Sequence, residues 1–125
     1  MRTLLTLVAL FSFTLSFAQD GKSPAKKLRH VVLFKFKEDT SRSAITMIEK
    51  EFVALGKQLK EVKEFEWGLN NSPEGLNKGF THGFLVTFAS EEDRDTYLPH
   101  PKHQAFVAKL KPYLEDALVF DYWAF

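Results

Sequence analysis

Four short stretches of this chain alternate apolar and polar residues, and helical stretches separate them, which leaves few folds open. The first, "LRHVVLFKFK" (Leu28–Lys37), puts Leu28, His30, Val32, Phe34 and Phe36 on one face and Val31, Leu33, Lys35 and Lys37 on the other. "EDTS" then offers capping residues, and "SRSAITMIEKEFVALGKQL" repeats Ile45, Ile48, Phe52, Leu55 and Leu59 at helical spacing. "VKEFEWGLN" (Val62–Asn70) alternates again, with Phe65, Trp67 and Leu69 on one face. "NSPEGLNKG" is a loop, marked by Ser-Pro and by Gly75, Asn77 and Gly79. "FTHGFLVTF" (Phe80–Phe88) is a third strand, in which His82, Phe84, Val86 and Phe88 share a face.

"SEEDRDTYL" begins a short helix. Ser90 suits its N-cap, and the acidic first turn suits the helix dipole. "HPKHQAFVAKLKPYL" is a second helical piece with Pro101 at its first position, and Phe106, Val107 and Leu110 on its apolar side. "ALVFDYWAF" closes the chain as a fourth strand. The order strand–helix–strand–strand–helix–strand predicts an α+β fold, an antiparallel sheet with helices on one face. The second face still carries apolar groups, and a second copy is the simplest cover, so a homodimer is expected.

The first 18 residues stand apart from this domain. "MRTLLTLVALFSFTLSFA" has a single charge at Arg2, then an apolar run, then a small-residue end before Gln19. That is the pattern of a cleaved secretory signal peptide, and the run is short and interrupted for a spanning helix, which needs ~20 apolar residues. The expected division is 1–18 signal peptide, 19–27 linker and 28–125 domain. The location is then periplasmic or secreted, with no membrane anchor after cleavage. Cleavage removes Arg2 and lowers the formal charge from +1 to 0. A neutral chain offers no electrostatic footprint for nucleic acid. The chain has no cysteine, so neither a disulfide nor a lipoprotein acylation site is available. Packing alone must hold a small domain, and the 13 phenylalanines, three of them before Gln19, supply much of that area.

Taken together, "HVVLFKFKEDTS", "GLNNSPEGLNKGFTHGFLVTFAS", "RDTYLPHPKHQAF" and the terminal "VFDY" resemble the stress-responsive dimeric A/B barrel (Dabb) family over Leu28 to Tyr122. The resemblance implies a ferredoxin-like dimeric α/β barrel, a four-stranded antiparallel sheet with helices on one face. It fixes activity less well, because many members have no assigned reaction. One plant member is a cyclase that closes a linear polyketide without a metal, using a tyrosine and a histidine of the "Y…HPxH" segment. Carried over residue by residue, these are Tyr97 and His103, with His30, His82 and His100 as neighbours. Pro99 stands where that cyclase has an aliphatic residue, and the loop Asn71–Gly79 differs in composition. The substrate therefore does not carry over.

The residues themselves leave several roles open. His30 and His82 lie on aromatic-rich strand faces, where a histidine is either a hydrogen-bonded core residue or the lining of a pocket under Tyr97–Phe106. His100 precedes Pro101, which disfavours helical φ/ψ there, so it reads as a helix-start residue. His103, inside the helix, is placed to point back at the sheet, where an imidazole and a phenol make the minimal kit for enolate chemistry. A His100–His103 metal clip is disfavoured by Pro101 between them and by the absence of cysteine, and no metal or cofactor is expected. "NSPEGLNKG" lacks phosphate-loop spacing. Three functions remain: a binder of a small apolar or aromatic molecule between sheet and helices; a cofactor-free lyase or cyclase with His103 as base and Tyr97 as acid; and a stress-linked dimer with a filled core.

Overall fold

The computed structural model describes residues 25–125. The expected signal peptide and most of the linker lie outside the described residues. The elements run β1 (Leu28–Phe36), α1 (Arg42–Gln58), β2 (Glu64–Leu69), β3 (His82–Phe88), α2 (Glu91–Tyr97), α3 (Pro101–Leu110) and β4 (Leu114–Trp123). The strands form one sheet in the order β2–β3–β1–β4, with every neighbouring pair antiparallel. This is the expected ferredoxin-like α+β arrangement, with β1 and β3 central.

Each element follows from its local sequence. The alternation in β1 becomes an alternation in burial, with Leu28, His30, Val32 and Phe34 buried. Ser41 caps α1, its hydroxyl accepting from the Ala44 amide at 3.2 Å, and Ile48, Phe52 and Leu55 are the buried stripe. Ser90 does the same for α2 through the Asp93 amide at 3.1 Å. Such caps contribute ~1 kcal/mol each.

The second helical piece stops earlier than its periodicity predicts. The helix ends at Leu110, the Tyr113 amide returns to the Leu110 carbonyl at 2.9 Å, and β4 begins at Leu114. Pro112 accounts for the stop, because it has no N–H with which to continue the helical ladder. β4 then pairs with β1 through one register shift at Lys35/Phe36.

The core is aromatic. Phe52 of α1 lies 4.5 Å from Phe84 of β3 and 4.6 Å from Phe106 of α3, ring centre to ring centre, and Phe34 lies 5.1 Å from Phe84. Each such buried ring contributes about 1.5–3 kcal/mol by burial. The helices cover β3, β1 and the start of β2; β4 is left open, and its helix-side Val119 is 57% exposed. A groove is left between α3 and β4, and it positions the site. Among the described residues, no helix is long and apolar enough to cross a membrane.

Candidate functional site

The turn from α2 to α3 is built around Pro101. His100 is the N-cap of α3, extended at φ −58° and ψ 135°, and its Nδ1 accepts from the Lys102 amide at 3.1 Å. The Leu98 carbonyl, at the end of α2, accepts from His103 Nδ1 at 2.8 Å and from Gln104 Nε2 at 2.9 Å. A carbonyl only accepts, so the His103 proton sits on Nδ1 and the neutral ring carries its lone pair on Nε2. Burial lowers the His103 pKa below 6.5; the bond to Leu98 partly opposes this, and His30 and His100 add to it. His103 is therefore held as a neutral base.

Tyr97, the last residue of α2, packs against that ring at 4.5 Å between centres. It is 1% exposed, and its phenol oxygen is the only buried side-chain nitrogen or oxygen among the described residues without a hydrogen-bond partner. Burial raises the Tyr97 pKa, so the phenol keeps its proton. A buried hydroxyl without a partner costs about 1–3 kcal/mol, which marks it as a donor waiting for an acceptor.

His30 of β1 stands on the other side of Tyr97, 6.2 Å between ring centres. Its register partner on β4 is Asp121, and His30 Nδ1 donates to Asp121 Oδ1 at 2.6 Å. Asp121 Oδ2 accepts from Arg94 of α2 at 3.3 Å. The carboxylate thus orients the imidazole. His30, Tyr97, His103 and Asp121 line a cavity of about 300 Å³ between α3 and β4. Val32, Phe106, Leu110, Leu114 and Val119 are among the apolar residues of its wall. An apolar chamber with a few polar groups suits a small apolar molecule that carries an oxygen.

Tyr97, His103 and His30 therefore converge as expected, but two of the expected neighbours do not line this cavity. His100 spends its Nδ1 on the helix cap. His82 is buried four residues further along the sheet, about 13 Å from the level of His30. Its Nε2 meets Glu49 Oε1 of α1 at 2.9 Å and its Nδ1 meets Thr81 Oγ1 at 2.8 Å, so both ring nitrogens are engaged. Its ring stacks on Trp67 at 6.2 Å and 2°. Sharing a strand face sets direction and says nothing about distance along the strand. Asp121 and Arg94 were not singled out in the sequence. The available signal was a lone carboxylate alternating with Val119 and Trp123 in the last strand. Among the described residues, no group of three histidine or carboxylate side chains is gathered so as to hold a metal ion.

Residues 28–124 match the model of the stress responsive A/B barrel domain. The chain belongs to this family. Similar Dabb proteins include the stress-response A/B barrel domain-containing protein HS1 of Arabidopsis thaliana, 36% identical over 104 residues (83% of this chain, 93% of that one). Olivetolic acid cyclase of Cannabis sativa is 30% identical over 95 residues, 76% of this chain and 94% of that one. Among solved structures, the hydroxynitrile lyase of Passiflora edulis superposes with a TM-score of 0.76 at 29% identity, covering 82% of this chain and 96% of that one. A neighbour from Jannaschia, at 26% identity and TM-score 0.67 over 77% of this chain and 97% of that one, is described as a dimeric ferredoxin-like protein. This Dabb chain thus keeps company with two proteins named for different reactions.

Proposed function

We propose that the protein is an exported homodimer that holds a small apolar or aromatic molecule in the α3–β4 cavity, with a ligand oxygen on the Tyr97 phenol. One observation carries this reading: Tyr97 lines a mostly apolar chamber, and its phenol oxygen is buried, protonated and without a hydrogen-bond partner. Export rests on the pattern of residues 1–18. The homodimer is supported by the dimeric description of a solved neighbour and by the apolar outer face of the sheet.

A second reading is favoured by the His103 tautomer. A neutral imidazole with a free Nε2 beside a phenol donor is the arrangement for taking a proton next to a carbonyl while the phenol receives the developing oxyanion. In that reading the protein is a cofactor-free lyase or cyclase, with His103 as base and Tyr97 as acid. The names of the cyclase and the lyase it resembles support it.

The test is calorimetric titration with alkyl phenols, β-keto thioesters and cyanohydrins, beside turnover assays on the same panel. Binding that Tyr97→Phe weakens about tenfold supports the chamber. Turnover lost in His103→Ala while binding survives supports the enzyme. No binding by any member of the panel would sink both.

A further inference from the structure

The polar lining of the α3–β4 chamber is one-sided in its hydrogen bonding. His103 carries its proton on Nδ1, where the Leu98 carbonyl accepts it, and His30 carries its proton on Nδ1, where Asp121 accepts it. Each neutral ring therefore has its lone pair on Nε2. Neither Nε2 has a hydrogen-bond partner among the described residues, yet neither is a buried unpartnered atom, a condition met by the Tyr97 hydroxyl alone. Both nitrogens thus keep open space in front of them, on residues that line the chamber. Together with the Asp121 carboxylate they make three acceptors against one donor, the Tyr97 phenol.

The charge is one-sided as well. Among the described residues, no lysine or arginine lines the chamber. Arg94 reaches Asp121 Oδ2 at 3.3 Å, but its Nε also serves Asp95 Oδ1 at 3.1 Å. One cation shared by two carboxylates leaves that wall with a net negative charge. An incoming carboxylate would meet like charge, with lone pairs where it needs donors, and it would lose water in an apolar space.

A hydroxyl answers this set of groups. Its oxygen accepts from Tyr97 while its proton goes to an Nε2 lone pair. An ether oxygen accepts only and leaves both lone pairs unmet. We propose that the chamber selects a neutral ligand that carries a hydroxyl and rejects carboxylates, and that Asp121 sets the rejection. This rests on the ligand chamber proposed above and names the group that the chamber takes.

The test is calorimetric titration at neutral pH with para-propylphenol, para-propylanisole and para-propylbenzoate, which share one apolar body. The phenol is expected to bind, and the ether and the carboxylate each to bind about tenfold more weakly or worse. An ether as tight as the phenol overturns the hydroxyl, and a benzoate as tight as the phenol overturns the exclusion; either result leaves the chamber standing. Asp121→Asn is expected to lower the ratio of phenol to benzoate affinity about tenfold, whatever it does to either affinity alone. An unchanged ratio overturns the role of Asp121. If none of the three binds, the chamber itself is overturned and its selectivity with it.

Discussion

His30 on β1 and Asp121 on β4 are register partners whose side chains meet at 2.6 Å on the helix side of the sheet. The pair ties the edge strand to the cavity. Asp121 also accepts from Arg94 of α2, so three elements meet on one carboxylate. Asp121→Asn keeps the shape but removes the charge. The expected result is a loss of about 1–2 kcal/mol in stability by chemical denaturation, with weaker ligand binding by calorimetry. An unchanged variant on both counts would mean that the pair is incidental.

Tyr97→Phe separates stability from function. The hydroxyl has no partner in the protein, so its removal from the ligand-free protein is expected to be neutral or to stabilise by up to about 1 kcal/mol. The same substitution costs ligand affinity about tenfold. Thermal melting and calorimetry on one preparation read both effects. A destabilised variant would reveal a partner for the hydroxyl within the fold.

The pH dependence of His103 has a defined sign. Burial lowers its folded pKa below 6.5, so in acid the unfolded chain binds the proton more readily. Its contribution to stability is complete above 6.5 and is lost as pH falls through 6.5 toward the lower folded value. The base form at Nε2 likewise persists below pH 6.5. A nitrogen-15 titration should place His103 below an exposed histidine of the unfolded chain. A midpoint above 6.5 would contradict the assigned tautomer and burial.

His82 is expected to act on stability alone. Both of its ring nitrogens are engaged, with Glu49 and with Thr81, away from the cavity. His82→Ala leaves the Glu49 carboxylate without its partner and a gap beside Trp67, with an expected cost of about 2–3 kcal/mol. Ligand affinity, measured well below the melting temperature, stays within about twofold, because nothing at the cavity moves. A loss of affinity on the scale of Tyr97→Phe would return His82 to the site.

The order of elements was legible because period-two and helical patterns alternate without overlap along Leu28–Trp123. The grouping of Tyr97, His103 and His30 came from the family resemblance; Pro101 and the strand alternation supplied only the helix start and the strand face. His82 takes the hydrogen-bonded core role that its face allowed; it shares the face of Phe84 and Val86 but stands at the far end of β3. Asp121 escaped notice because its partner is set by β1–β4 register, which one strand's sequence does not carry. The cavity itself exists because the helices stop short of β4, and helix reach across a sheet is a property of packing rather than of any local pattern.

The most direct measurement is a crystal structure of the protein soaked with the tightest-binding member of the ligand panel. The expected result is a ligand oxygen about 2.7–2.8 Å from the Tyr97 phenol, with its apolar part between α3 and β4. A ligand bound elsewhere, or a chamber closed by Phe106 and Val119 with the Tyr97 hydroxyl bonded inside the protein, would contradict the proposed site.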